Sequence, residues 1–262
     1  LMTILDQIIV ETRKTIETDR GRKPSDVLES LVRDLPPCRD FHAALEAGTA
    51  VQLIAEVKRA SPSAGLIRED FDPVQIARSY ADAGAACISV LTDAPFFKGS
   101  LDYLVEIRKA VELPLLRKDF IVDRYQLLQA RAAGADCVLL IAECLSPEQL
   151  LSLHDQTVEL GMQTLIELFD PANLPAVLAT GTRLVGVNNR NLHTFETSLD
   201  HTLTLRPDIP EDRLLVGESG IRTHQDVQVL GAGGVKGILV GESLMRQPDI
   251  GLATRKLLGT AQ

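Results

Sequence analysis

Tryptophan is absent from this 262-residue sequence, and only 4% of the residues are aromatic. Because aromatic side chains are so scarce, a folded core has to be built mainly from leucine, valine, isoleucine and alanine. Hydrophobic residues make up 45% of the chain, which is enough for one large domain or two small ones. No apolar run approaches the roughly 20 residues of a membrane-spanning helix, and no signal peptide is recognisable, so we expect no membrane partner.

Basic residues are also relatively few. The 27 lysines and arginines are outnumbered by 36 aspartates and glutamates, which gives a net charge of −9. A nucleic-acid-binding surface depends on lysine and arginine for its affinity, so this balance argues against nucleic acid as a partner. A small anionic substrate is compatible with it, because a local basic pocket can lie within an acidic exterior.

Cysteine and histidine are too sparse and too scattered to indicate a metal site. The four cysteines form no Cys-x-x-Cys pair, and Cys87 and Cys137 lie in apolar runs that are typical of small core residues. Such cysteines fit a reducing compartment, so we expect a cytoplasmic protein. No metal-ligand spacing occurs among the histidines, which are His42, His154, His193, His201 and His224. We therefore expect neither a metal nor a cofactor.

The first 48 residues have a helical pattern of their own. Apolar residues recur at helical spacing and predict a first amphipathic helix over residues 3–19, which the segment 20–24 should break. Ser25 should cap a second short helix that ends before the proline pair at 36–37. A third short helix over residues 41–47 should close at Gly48. We interpret residues 1–48 as a helical N-terminal extension.

From residue 51 onward, short apolar runs alternate with helical patterns. Near-continuous apolar strands are typical of parallel sheets, and eight in succession predict a closed (β/α)8 TIM barrel. No linker divides the series, so we expect residues 1–262 to form a single domain. An open doubly wound sheet is the alternative, although no Gly-x-Gly-x-x-Gly follows the first strand. The predicted strands are residues 53–57, 87–91, 115–116, 137–141, 164–168, 184–187, 214–217 and 237–240.

Polar residues follow the predicted strands, at the end where the active site of such a barrel lies. Glu56 and Lys58 are two residues apart and should share one face of the first strand. Alone they could be a structural ion pair, but carboxylates, a lysine and amides recur after later strands, which predicts one site that works by Lys and Glu acid–base chemistry. The strand-end residues are Glu56, Lys58 and Ser61; Thr92, Asp93 and the loop 96–100; Arg117, Lys118, Asp119 and Phe120; Glu143; Glu167; Asn188, Asn189 and Arg190; Glu218, Ser219 and Gly220; and Gly241, Glu242 and Ser243.

The last two strand ends predict a phosphate site. Each is followed by glycine and serine, in Glu218-Ser219-Gly220 and in Gly241-Glu242-Ser243. Glycine lets a ligand approach the backbone closely, and backbone N–H groups at a helix N-terminus can hold a phosphate dianion. Either segment alone would be an ordinary turn, but their occurrence together after strands seven and eight favours phosphate binding.

Seven strand-end motifs form an ordered set: AEVKRASPS at 55–63, FKGS at 97–100, KDF at 118–120, IE at 166–167, GVNNRNL at 186–192, GESGI at 217–221 and GESLM at 241–245. The set resembles the indole-3-glycerol-phosphate synthase family of tryptophan biosynthesis, over nearly the whole chain. The resemblance implies a lyase that closes the indole ring of 1-(2-carboxyphenylamino)-1-deoxyribulose 5-phosphate. The products would be indole-3-glycerol phosphate, carbon dioxide and water.

The resemblance also implies a role for each catalytic residue. Lys118 would be the general acid that protonates the ribulose carbonyl as the ring carbon attacks it. Glu167 would act in the later proton removal and dehydration. Lys58 would hold the developing anion and the substrate carboxylate and could share the acid role, and Glu56 would position Lys58 and the reacting chain. Burial and a nearby Lys58 would lower the pKa of Lys118, whereas flanking carboxylates would raise it, so the residues alone leave the sign of the shift open.

The same resemblance implies the binding residues. The phosphate would lie on backbone groups of the last two loops, and the N-terminal extension would cover the top of the barrel. Ala64 and Glu242 depart from the expected pattern: one anion contact is lost at the first, and the side chain of the second must point away from the phosphate. Asn188 and Glu218 would hold hydroxyl and amine groups, Ser61 and Arg190 the carboxylate end, Phe97 and Phe120 the anthranilate ring, and Ser219, Gly220, Gly241 and Glu242 the phosphate.

Two other functions fit parts of the pattern. Phosphoribosylanthranilate isomerase shares the phosphate loops but would want a Cys/Asp pair, and Cys38 and Cys144 lie outside the motif positions. A barrel that only binds a phosphorylated ligand would not need the acid–base residues. The N-terminal segment has no self-complementary apolar patch, so we expect a monomer.

Overall fold

The computed structural model, which describes residues 2–191 and 196–261, contains a closed barrel of parallel strands. The first strand pairs with both the second and the last, so Ile54 lies opposite Cys87 on one side and Leu239 on the other. This ring confirms the (β/α)8 prediction. The strands are β1 Gln52–Val57, β2 Cys87–Leu91, β3 Leu115–Lys118, β4 Cys137–Ile141, β5 Gln163–Leu168, β6 Leu184–Asn188, β7 Leu214–Glu218 and β8 Gly237–Val240. Leu192 of the fifth motif and His193 lie outside the described residues.

Helices connect the strands and cover the barrel. The connections also contain short 3-10 turns at Ala142–Cys144, Pro171–Asn173 and Arg206–Asp208. After the first strand, a small hairpin pairs Ala60–Ser61 with Gly65–Leu66. No helix in residues 2–191 and 196–261 is long and apolar enough to cross a membrane. The helices are α1 Ile4–Arg22, α2 Ser25–Arg33, α3 Phe41–Glu46, α4 Pro73–Asp82, α5 Ala94–Phe97, α6 Leu101–Ala110, α7 Arg124–Ala133, α8 Pro147–Glu159, α9 Leu174–Ala179, α10 Asp200–Leu205, α11 His224–Ala232, α12 Glu242–Met245 and α13 Ile250–Leu258.

Three strands run further than the apolar pattern predicts. β3 continues through Lys118, β6 through Asn188 and β7 through Glu218. These polar residues remain in register with their neighbours, for example Asn188 opposite Glu218 and Leu91 opposite Lys118. The candidate site residues therefore stand on the rigid sheet and not on the loops that follow it.

The first helix is longer than predicted. An end at residue 19 is wrong, because α1 passes through Arg20 and Gly21, although the helix does end within the segment 20–24. The Arg20 guanidinium donates to Asp123 at 2.9 Å and lies 5.4 Å from the ring centre of Tyr125, which fixes the last turns of α1 against α7. Pro24 is the residue that stops the helix, because proline disfavours helical backbone in the residue before it. Pro24 also takes the N-cap position of α2 that was predicted for Ser25.

The N-terminal extension covers the top of the barrel with α1 and also closes the opposite end with α3. Residues Ile4, Leu5 and Ile8 of α1 lie at the open top. Phe41 of α3 is fully buried in the barrel interior at the opposite end, where its carbonyl accepts from Cys87 at 3.9 Å. The extension is thus part of the same core as the strands.

Candidate active site

A cavity of about 540 Å³ opens at the carboxyl ends of the strands. Its walls come from the sheet, from the loops after the strands and from α1. Every residue to which the family resemblance assigns a role lines it: Glu56, Lys58, Ser61, Phe97, Lys118, Phe120, Glu167, Asn188, Arg190, Glu218, Ser219, Gly220, Gly241 and Glu242.

The twofold period of the strands places the polar residues in this cavity. Alternate side chains point into the barrel, and the lower layers of the interior are apolar. Two residues further along the same face, the apolar side chain is replaced by a functional group or by glycine. The successive pairs are Ile54 and Glu56, Leu116 and Lys118, Leu165 and Glu167, Val216 and Glu218, and Leu239 and Gly241.

Glu56 and Lys58 form a close ion pair. Lys58 Nζ lies 2.8 Å from Glu56 Oε1, and the Ser89 hydroxyl donates to Glu56 Oε2 at 3.5 Å. Burial alone would raise the pKa of Glu56, but the charges of Lys58 and then Lys118 outweigh it, so the pKa is lowered. Glu56 is therefore an anion that holds the Lys58 ammonium in place.

Lys118 lies between two carboxylates at the centre of the cavity. Its Nζ is 3.2 Å from Glu167 Oε2 and 3.7 Å from Glu218 Oε2, while Asn188 Nδ2 donates to Glu167 Oε1 at 3.1 Å. Burial pulls the pKa of Lys118 down, yet the charges of Glu167, Glu218 and Glu56 together raise it. The carboxylates thus decide the sign that the sequence leaves open, and Lys118 is protonated in the free protein.

Glu218, in contrast to Glu56, has a carboxyl group whose pKa is raised. Burial first, and then the charge of Glu167, raise the pKa of Glu218 well above its usual value, against the lowering effect of Lys118. Its Oε1 is buried and has no hydrogen-bond partner among the described residues. The space for this side chain comes from Gly186 on β6, since a Cβ there would collide with Glu218 Oε1. The site therefore contains a carboxyl oxygen that is buried against Gly186 and has no hydrogen-bond partner among the described residues.

Two phenylalanines form the apolar side of the cavity. The ring centroids of Phe97 and Phe120 are 6.0 Å apart and the rings are tilted by 38°, so the two side chains form an aromatic patch on the cavity wall. Asp93 fixes Phe97 by accepting the N–H groups of Phe96 and Phe97 at 2.8 and 3.1 Å. This patch suits contact with a flat aromatic ring.

The loops after β7 and β8 form the opposite, polar side. Ser219 and Gly220 both have left-handed backbone, with φ of 66° and 81°. That conformation is uncommon for serine and bends the chain directly after Glu218. A Cβ at Gly220 would lie 2.5 Å from Thr197 Cγ2, and one at Gly241 would lie 2.5 Å from Glu56 Oε1. Both glycines therefore keep backbone accessible where a side chain would fill the cavity.

The Glu242 side chain is turned along α12. Its Oε1 accepts from Arg246 Nε at 3.0 Å, and its Oε2 lies 3.8 Å from Arg190 Nη2. The carboxylate is thus paired with cations and does not occupy the start of the helix. This is the orientation that the sequence requires if the backbone of this loop is to receive an anion.

A model of the indole-3-glycerol phosphate synthase family matches residues 5–257. A relative of that name from Rhodopirellula baltica is 68% identical, over 99% of this chain and all of its own. Another, from Albidiferax ferrireducens, is 49% identical over 98% of this chain and 99% of its own. The chain belongs to the indole-3-glycerol phosphate synthase family. Its activity is that of a decarboxylating lyase of tryptophan biosynthesis, acting on a phosphorylated small molecule.

Solved structures support the synthase fold and nothing finer. A crystal structure of 3-hexulose-6-phosphate synthase superposes with a TM-score of 0.64 at 14% identity, covering 81% of this chain and all of the other. A chain of the tryptophan synthase complex from Pyrococcus furiosus gives 0.59 at 16% identity, covering 79% and 97%. At such low identity these likenesses concern the barrel.

Some residues of the synthase cavity escape the sequence reasoning. Arg222 and Arg246 line it, as does the apolar face of α1. Arg246 lies four residues after Glu242, and this i,i+4 spacing on a predicted helix could have revealed the pair. The α1 residues carry no such signal, because an apolar helical face looks the same whether it covers a core or a cavity.

Several strand-end residues serve the scaffold and not the cavity, among them Glu143 and Asn189. Glu143 Oε1 accepts the N–H groups of Phe169 and Asp170 at 2.8 and 3.0 Å and so fixes the loop after β5. Asn189 Oδ1 accepts the Thr202 hydroxyl at 2.7 Å. Within residues 2–191 and 196–261, no group of three or more His, Cys, Asp or Glu side chains could hold a metal ion.

Proposed function

We propose that Lys118 is the general acid of the ring closure. The ring carbon that carries the carboxylate attacks the ribulose carbonyl carbon, and the carbonyl oxygen takes a proton from Lys118 Nζ. The carbon–carboxylate bond then breaks, its electron pair restores the aromatic ring, and carbon dioxide leaves. Finally the new hydroxyl takes a second proton, from the Lys58 ammonium, and departs as water, while Glu167 accepts the proton that is lost from the neighbouring carbon.

The single observation that supports this assignment most strongly is the position of Lys118 Nζ. It lies 3.2 Å from Glu167 and 3.7 Å from Glu218, in the cavity that the aromatic patch of Phe97 and Phe120 also lines. The raised pKa of Lys118 keeps its proton in place until substrate arrives. A substrate that separates Lys118 from these carboxylates would remove the cause of the raised pKa and make the lysine a better donor.

Lys58 is the second cation of the site, and we propose that it stabilises negative charge on the substrate. Its ion pair with Glu56 at 2.8 Å sets the ammonium on the β1 side of the cavity, near Ser61. There it can contact the substrate carboxylate and the anion that develops during ring closure. Glu56 positions Lys58 and does not itself need to transfer a proton.

The remaining residues bind the substrate in three zones. Asn188 and Glu218 contact hydroxyl and amine groups at the centre, where Glu218 Oε1 has no partner of its own among the described residues. Ser61 and Arg190 receive the carboxylate end, beside the aromatic ring. The phosphate lies on the backbone of the loops after β7 and β8, which follow Lys118 and Glu167 by about 50 residues or more in sequence but line the same cavity. The ring-binding pair is Phe97 and Phe120, and the phosphate-binding set is Ser219, Gly220, Gly241 and Glu242.

Indole fluorescence tests this proposal directly. The chain has no tryptophan, so indole formed from the carboxyphenylamino-deoxyribulose phosphate is seen against a low background. We expect a rising signal in EDTA, and we expect Lys118→Ala to lose at least about 10²-fold in kcat, as for loss of a general acid, while substrate still binds. Lys109→Ala, on the exposed face of α6, is the matched control. Unchanged turnover in Lys118→Ala would overturn the assignment.

We also propose that residues 1–262 form one domain and that the protein is a monomer in the cytoplasm. The packing of α1 and α3 against opposite ends of the barrel supports one domain, and the free cysteines fit a reducing compartment. Light scattering on the eluting protein should give the mass of a single chain. Urea denaturation should give one cooperative unfolding transition. A mass of two chains would contradict the monomer.

A further inference from the structure

Four polar residues form a connected row along the mouth of the cavity. Arg190 Nη1 donates to the Ser63 hydroxyl at 3.0 Å, Arg190 Nη2 lies 3.8 Å from Glu242 Oε2, and Arg246 Nη2 lies 3.0 Å from Glu242 Oε1. All four line the cavity. The row joins the loops after β1, β6 and β8, which are distant in sequence, so it links the two ends of the substrate that we propose for this site.

Glu242 has an unusual place in this row. Its backbone N–H begins α12, directly after Gly241, where we propose that the phosphate lies. A carboxylate at that position would repel the phosphate. Arg246 holds this carboxylate aside, because its Nε and Nη2 both lie 3.0 Å from Glu242 Oε1. The Glu242 side chain remains 30% exposed. The Glu242 carboxylate is thus close enough to repel a bound phosphate dianion without occupying the phosphate site.

Arg190 depends on Glu242 for one of its two side-chain contacts in the row. The other is the neutral hydroxyl of Ser63, and Arg190 Nε is buried without a hydrogen-bond partner in the described part of the chain. A guanidinium held by one neutral contact would sample several orientations, because a long side chain loses considerable rotamer freedom when it is fixed. The Glu242 carboxylate is the charged group that aligns it.

We propose that Glu242 is a positioning residue for Arg190. It fixes the Arg190 guanidinium toward the carboxylate end of the substrate, and it does so from the loop that receives the phosphate. The inference rests on the proposed function, in which Arg190 contacts the carboxylate and the loops after β7 and β8 contact the phosphate. Glu242 therefore acts oppositely on the two parts of the substrate: it repels the phosphate slightly and strengthens the contact with the carboxylate.

This opposition gives Glu242→Gln a characteristic signature. Loss of one partly exposed like charge should tighten binding of inorganic phosphate alone by about two- to five-fold. Once Arg190 is no longer aligned, its charge-assisted contact with the substrate carboxylate is weakened. This loss costs more, about ten-fold in affinity for the substrate. The KM of the complete substrate should therefore rise by roughly two- to five-fold, because the second effect outweighs the first.

The experiment compares the inhibition constant of inorganic phosphate with the KM of the carboxyphenylamino-deoxyribulose phosphate, both by indole fluorescence. We expect Glu242→Gln to lower the first and raise the second. In an Arg190→Gln background, the same substitution should lower both, since only the repulsion is then relieved. Glu159→Gln removes a charge from an exposed pair with Arg124 that is absent from the cavity wall, and it serves as the matched control.

Each other result has a definite meaning. If Glu242→Gln lowers both constants, its charge acts on the phosphate alone and the positioning role is wrong. If it raises both, the substitution disrupts the loop and the role is again wrong. If inorganic phosphate fails to compete with substrate in the unaltered protein, the phosphate site itself is misplaced, and the proposed function must be revised together with this inference.

Discussion

At the scale of single residues, the chemistry of this site depends on which charges lie next to each other. Sequence identifies the lysines and carboxylates but does not determine whether Lys118 is nearer to Lys58 or to Glu167. The structure places Glu167 and Glu218 within 3.7 Å of its Nζ, so the pKa of Lys118 is raised. Glu218, four strands away from Lys118, becomes the carboxyl group with the raised pKa. Both pKa shifts follow from contacts between residues that are about 50 to 100 positions apart in the sequence.

Asp93 gives a prediction about pH. It is 7% exposed, and burial, with the charge of Asp119, raises the pKa of Asp93 to about 6 despite hydrogen bonds from Phe96 and Phe97 that lower it. The pKa in the folded state thus exceeds the ~3.9 of an unfolded aspartate. The native state therefore binds the proton more tightly, and this group should raise the free energy of unfolding as pH falls from 7 toward 4.

We expect Asp93→Asn to abolish this contribution, on the order of 1–2 kcal/mol between pH 7 and pH 5, because its side-chain oxygen can still cap α5 but cannot titrate. Urea denaturation at the two pH values measures it, with exposed Asp102→Asn as the control. An equal difference between variant and unaltered protein at both pH values would show that Asp93 does not titrate in this range.

At the scale of elements, the apolar pattern locates strands well and their ends less well. β2, β4 and β8 have the predicted bounds, whereas β3, β6 and β7 extend into the polar residues that follow. A polar residue at the top of a barrel strand keeps its backbone pairing while its side chain faces the cavity, so hydrophobicity underestimates strand length there. The end of α1 was misjudged for a related reason, since docking of Arg20 on α7 outweighs the local helix-breaking signal of Gly21.

The apolar face of α1 gives a prediction at this scale. Ile8 is 4% exposed and lines the cavity together with Ile4 and Leu5. Ile8→Ala should destabilise the protein by about 2 kcal/mol, at the low end for a buried isoleucine because the cavity beside it can take up water, and it should raise KM several-fold. Thermal unfolding and steady-state kinetics measure the two effects.

Val10 offers a control on the same helix, since it is 44% exposed. Val10→Ala should leave both quantities nearly unchanged, because little surface is lost and alanine favours the helix. If Ile8→Ala behaves like Val10→Ala, α1 is not seated on the cavity in solution.

At the scale of the whole molecule, the barrel separates a chemical end from a structural end. The carboxyl ends of the strands bear the cavity, and the opposite end is closed by α3. Near that closed end, Asp136 is completely buried and accepts from the Arg39 N–H at 2.7 Å and from Arg108 Nη1 at 2.6 Å, which ties the extension to the barrel. Stability and activity should therefore respond to different substitutions.

Phe41→Ala tests this separation. Phe41 is fully buried among the lower interior residues, so its loss should destabilise the fold by about 3–5 kcal/mol. In the protein that remains folded, kcat should change less than two-fold or so, because the reacting groups lie at the other end of the barrel. Denaturant titration and kinetics on the same sample measure both. A large loss of kcat with little loss of stability would reverse the roles of the two ends.

The sequence by itself determined the barrel and the membership of its site. Eight apolar runs at regular intervals favour a closed parallel sheet, and the twofold strand period directs the polar residue on the interior face of a strand end to the same cavity. Tertiary structure alone decided the pairing of Lys118 with Glu167 and Glu218, the division of the extension between top and bottom, and the row from Ser63 to Arg246. Those features depend on distances between segments far apart in the chain, and electrostatic energies change steeply with such distances.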